Sequence, residues 1–109
     1  MSVLNPSVID GVGIEVGTDK VVMQISDHLS WDDPEHIPNL TRKIEAYASA
    51  ALSGHLTENY AAFEGKPVLI RLICRVLPDE GALRFLTSIE GQLRSAGLEF
   101  EHIMLPHDY

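Results

Sequence analysis

The sequence predicts an α+β fold, a two-layer sandwich in which a four-stranded sheet carries two helices on one face, in the order β-β-α-β-α-β. Three observations predict it. The stretch from Pro67 to Leu77, PVLIRLICRVL, is the most strongly β-forming in the chain. Strand alternation gives it one wholly apolar face, Val68, Ile70, Leu72, Cys74 and Val76, and one mixed face, Leu69, Arg71, Ile73, Arg75 and Leu77. Segments of helical apolar spacing lie on either side of it, each closed by a glycine, Gly54 and Gly97. A strand with one fully apolar face and one mixed face belongs in a sheet that helices cover on a single side.

The elements follow in order. Met1 to Ser7 reads as an arm, with Asn5-Pro6 as a turn signal. Val8 to Val16 reads as a strand with Val12, Ile14 and Val16 on one face and Gly11 and Gly13 opposite. Gly17-Thr18-Asp19 turns the chain, and Val21, Met23 and Ile25 alternate inward on the returning strand of a hairpin. Asp32 or Asp33 is placed to cap a helix with Pro34 in its first turn. Ile37, Leu40, Ile44, Tyr47, Ala48, Ala51 and Leu52 form its stripe, and Pro38 makes its opening irregular or delays it. His55 to Lys66 is a polar connection whose Tyr60 and Phe63 fold back on the core. Pro78-Asp79 opens the second helix, striped by Ala82, Leu86, Ile89, Leu93 and Ala96. Leu98 to Leu105 is the last strand, with Leu98, Phe100 and Met104 on one side and Glu99 and Glu101 on the other. Right-handed crossovers put both helices on the same face if strand order advances in one direction.

The 109 residues suit one domain, 1–109, with 1–7 as its amino-terminal arm. Sixteen acids against eight bases give a formal charge of −8, which repels nucleic acid and anionic lipid. No apolar run approaches the roughly 18 residues of a membrane span. The start, MSVLNPSVID, has neither the basic nor the apolar region of a secretory signal. The single cysteine, Cys74, excludes an internal disulfide and a multi-cysteine metal site, and its place among apolar residues reads as a buried thiol. The expectation is a cytoplasmic protein that contacts neither nucleic acid nor membrane and carries no cofactor.

The densest polar stretch runs from Ser26 to His36, SDHLSWDDPEH, and holds four acids, two histidines and the only tryptophan. If strands two and three are parallel, it lies at the strand ends where open α/β sheets bind ligands. Two chemistries fit its residue types. Asp27, His28, Asp32 and His36 offer carboxylate and imidazole ligands for a divalent metal, though at no established ligand spacing. An acid such as Asp27 or Asp32 could instead orient His28 as a general base, though neighbours on a strand point opposite ways. The plainer reading makes Asp32 and Asp33 helix caps, Ser26 and Asp27 turn formers, and Trp31 a cover over the core edge. No nucleophile elbow, zincin or phosphate-loop pattern is present.

The opening Ser2-Val3-Leu4-Asn5-Pro6-x-Val8-Ile9-Asp10, with Ile25-Ser26-Asp27-His28-Leu29-x-Trp31 and Ala82-Leu83-Arg84-Phe85-Leu86, resembles a family of small bacterial proteins of unknown function. The likeness covers nearly the whole chain. It implies a stand-alone bacterial domain, and it carries over no activity, substrate or catalytic residue.

Function is therefore expected through protein contacts, as an accessory or adaptor, more than through catalysis; a small enzyme or metal-binding protein using Asp27 to His36 is the alternative. The mixed sheet face adds a homodimer to this expectation. Leu69, Ile73 and Leu77 point away from the helices, and Val22 and Ile103 extend the patch. A two-fold contact is the commonest way to cover such a surface. Arg71 and Arg75 would meet Glu15, Glu99 or Glu101 of the same or a second chain. The arm or the His55 to Lys66 connection is the competing cover.

Overall fold

The computed structural model describes residues 11–54 and 61–104. Four strands form one sheet in the order β1-β2-β3-β4: β1 (Gly11–Ile14), β2 (Val21–Asp27), β3 (Val68–Cys74) and β4 (Glu99–Met104). β1 and β2 are an antiparallel hairpin, whereas β3 lies parallel to both β2 and β4. Each parallel step is made through a helix, α1 (His36–Leu52) or α2 (Glu80–Ser95). Strand order advances in one direction, so both helices share a face, and the expected two-layer α+β sandwich is formed.

The core lies between that face and the helices. Val21, Met23 and Ile25 of β2, Ile70, Leu72 and Cys74 of β3, and Phe100 of β4 meet Leu40, Ile44 and Tyr47 of α1 and Leu86, Ile89 and Leu93 of α2. Phe63, from the short 3₁₀ turn Ala61–Phe63, joins them as expected. Tyr60, the arm, and the chain ends on either side of the sheet lie outside the described residues.

Several boundaries differ from the sequence reading. β3 stops at Cys74 because its partner β2 ends at Asp27, whose carbonyl takes the Arg75 N–H at 2.9 Å as the last rung. Val76, expected in the core, is therefore off the sheet and 37% exposed, and Leu77 is 73% exposed. β1 is described only from Gly11 to Ile14, and Val16 lies beyond it, fully exposed in the turn. Met104, expected beside Phe100, is exposed at the end of edge strand β4.

The first helix opens at His36 rather than beside Pro34, with no side-chain cap. Asp33 instead accepts the Glu35 N–H at 2.9 Å, an Asx turn ahead of the helix, and its own N–H goes to the Ser30 carbonyl at 3.1 Å. Asp32 is exposed, and neither aspartate caps a helical amide. Pro38 then falls in the first turn, where a missing N–H costs nothing.

The second helix follows its signals closely. Asp79 Oδ1 accepts the Ala82 N–H at 2.8 Å as N-cap. At the other end Gly97 adopts φ +88°, its N–H bonds the Arg94 carbonyl, and the Leu98 N–H reaches back to the Leu93 carbonyl. Those two bonds form a Schellman motif, and buried Leu93 and Leu98 supply its apolar contact. Replacing the true cap, Asp79→Ala, should lower the unfolding free energy by about 0.5–2 kcal/mol in urea titration. Asp32→Ala should leave the midpoint within about 0.5 kcal/mol of the parent.

Candidate functional site

The Ser26 to His36 stretch does lie at the carboxyl ends of the parallel strands, and its centre is a buried pair. Asp27 continues the inward alternation of Val21, Met23 and Ile25, so its side chain points under the helices. His36 stands four residues before Leu40 on the buried stripe of α1, so its ring points at the sheet. Asp27 Oδ2 and His36 Nε2 are 2.5 Å apart, with both side chains essentially inaccessible to water.

The remaining partners decide the protonation pattern. His36 Nδ1 lies 3.0 Å from the Ser30 carbonyl oxygen, which can only accept, so Nδ1 carries a hydrogen. The 2.5 Å contact must then hold one proton, either on an imidazolium facing a carboxylate or on a carboxylic acid facing a neutral ring. Asp27 Oδ1 accepts the Leu29 N–H at 3.2 Å. Trp31 stacks on the imidazole with ring centroids 3.9 Å apart, and its indole N–H donates to the Val76 carbonyl at 3.0 Å. No buried side-chain polar atom among the described residues lacks a partner.

This arrangement holds the β2–α1 loop closed. Both ring nitrogens of His36 are engaged, which leaves no lone pair for a substrate proton or a metal ion. Cys74 pairs with Asp27 across the β2–β3 ladder, but its thiol is buried and pushed up to about 12 by desolvation, with the Asp27 charge adding to the rise. A thiol so placed is a poor nucleophile.

The sequence candidates therefore divide. Asp27 and His36 are brought together, whereas His28 and Asp32 are exposed and stand outside the pair. Among the described residues no group of three or more histidines, cysteines or carboxylates is placed to hold a metal. His107 and Asp108 lie outside the described residues. The direct Asp27–His36 contact was not anticipated, yet two signals pointed to it: each is a polar residue on the inward phase of its own element. Lys43, three residues after Leu40, is a third such residue; it is fully buried with Nζ 5.7 Å from the Tyr47 ring centroid.

The other face of the sheet carries Val22, Leu69, Ile73, Ile103 and a set of ion pairs. Arg71 bonds Glu15 at 2.7 Å and also bonds Glu101, and Lys20 bonds Glu99 at 2.6 Å. The hydrogen bond from Arg71, seconded by Thr18, holds the Glu15 carboxyl below its ordinary value. Arg75, expected to share these acids, is instead exposed beyond the strand end. Over β1 the face is hollow, a concavity of about 320 Å³ lined by Gly11, Gly13, Val22, Gln24 and Arg71. A Cβ added at Gly13 would meet nothing within 4 Å.

The chain belongs to a family of unknown function, DUF6572, whose model matches residues 1–106. No curated protein and no solved structure matches it. The match gives kinship without an activity, in accord with the resemblance of the opening and the Asp27-His28 motif.

Two measurements test the buried pair. Asp27→Ala leaves the imidazole without its partner and should cost about 3–5 kcal/mol. Asp27→Asn can donate its amide N–H to a neutral His36 Nε2 and should cost clearly less; Trp31 emission during urea unfolding reads both. Cys74 in the folded protein should react with a disulfide reagent at pH 8 far more slowly than in urea, and equal rates would contradict its burial.

Proposed function

We propose that this family member works through protein contacts, as a cytoplasmic bacterial accessory or adaptor protein that pairs with a second copy of itself through the open sheet face. The observation that carries the reading is the state of that face. Both helices lie on the opposite side, and the described charges of this face have partners within the chain, Glu15 and Glu101 on Arg71 and Glu99 on Lys20, which leaves a net charge of −1. A surface whose charges already have partners can be buried without stranding them.

Of the three residues expected to form the contact, Leu69 is already buried within one chain and Leu77 sits beyond the strand. The contact thus falls to Ile73 and its neighbour across the ladder, Ile103, which is 43% exposed. Burying each isoleucine contributes roughly 1.5–3 kcal/mol. A two-fold axis along the strands would set the β4 side of one copy over the β1 side of the other. The free, buried Cys74 thiol suits a reducing compartment. A catalytic or metal-binding use of Asp27 to His36 has less support, because the pair is closed on itself.

Light scattering in dilute solution should give twice the 12.0 kDa chain mass, and Ile73→Asp should reduce it to a single chain. A monomeric parent protein, or a dimer that survives Ile73→Asp, would overturn the proposal.

A further inference from the structure

We infer that the carboxyl end of the parallel strands is a second contact surface, built to receive a basic, amphipathic segment of another protein. Leaving aside Ile103 on the open sheet face, five of the nine exposed large apolar residues described, Ile37, Val76, Leu77, Leu83 and Met104, lie at this end of the molecule. Four residues form a connected row. Ile37 is 37% exposed and follows His36, Trp31 stacks on His36, and the Trp31 indole is tied to the carbonyl of Val76, which Leu77 follows. The tryptophan at the centre of the row is held by its stack and its hydrogen bond, so it offers a rigid aromatic anchor of the kind that dominates binding energy.

The rim selects the partner. The β2–α1 loop contributes Asp32, Asp33 and Glu35 without a base, and α2 opens with Asp79 and Glu80. Arg75 and Arg84 flank the Asp79-Glu80 segment in sequence; Arg84 pairs with Glu80 at 3.8 Å, which leaves Asp32, Asp33, Glu35 and Asp79 against Arg75. An apolar row inside an acidic rim complements an apolar stripe flanked by lysine or arginine and repels an anionic membrane. The whole chain, at −8, adds long-range attraction of the same sign. This surface is distinct from the open sheet face, and the inference does not depend on the dimer.

The experiment uses the full chain and its single tryptophan as reporter. The probe is the tryptophan-free peptide LKKLLKLLKKLLKL, with a second peptide carrying glutamate at every lysine as control. Saturable change in Trp31 emission with the lysine peptide only, weakening as salt is raised, is the expected result. Leu77→Asp should weaken binding about tenfold or more, whereas Leu52→Asp, 57% exposed at the far end of α1, should not. Ile73→Asp should bind like the parent, which separates this surface from the proposed dimer contact. Peptide binding detected by anisotropy without a change in Trp31 emission would overturn the inference, as would equal affinity in Leu77→Asp. Emission that shifts with protein concentration alone would assign the surface to a second copy and overturn it too.

Discussion

The proton held between Asp27 and His36 is the constraint on which the carboxyl end of the sheet depends. It joins the last residue of β2 to the first residue of α1 across an eight-residue loop, and so sets where the helix starts and how it meets the sheet. An ion pair or a neutral hydrogen bond taken out of water stabilises only when every remaining lone pair and hydrogen is satisfied. Here Ser30 and Leu29 complete the set from within the loop itself, and Trp31 closes the site over the ring. The helix has no side-chain cap, and the pair fixes its entry instead.

The two ends of the charge inventory are used differently. On the open face three ion pairs cancel most of the field, leaving aliphatic side chains among neutralised groups. At the carboxyl edge Asp33 and Asp79 accept from backbone amides and Asp32 is exposed, so a negative field persists there. One surface thereby presents paired charges and the other a net excess of acid.

Period-two alternation and helical spacing made the element order, the two layers and most of the core legible in the sequence. The Asp79 cap and the Gly97 stop were readable because their signals are local. Other features depend on a partner strand. The end of β3 at Cys74 is set by the end of β2, so nothing within RVLP could reveal that Val76 would leave the core. The start of α1 was misplaced because Asp-Asp-Pro is a strong cap signal, and the Asp27–His36 pair outweighed it. The pair itself could have been read from phase alone, since both residues fall on inward positions of elements whose other inward residues are apolar.

The sequential strand order has a consequence for assembly of the fold. Every neighbour in the sheet is also the next strand in the chain, so the structure closes in stages with no strand inserted between two earlier ones. Pairing Leu69 with Glu99 closes 30 residues and pairing Val21 with Val68 closes 47, a difference in closure entropy of only about 0.4 kcal/mol. What separates the two stages is local encoding. α2 has a cap at one end and a Schellman stop at the other, whereas the start of α1 relies on a contact nine residues apart in the chain. Local encoding thus favours the β3-α2-β4 half as the nucleus, and on that account φ-values are expected to be higher at Asp79 and Leu93 than at the Asp27–His36 contact. If the contact forms after the barrier, stabilising it slows unfolding and leaves the folding rate alone.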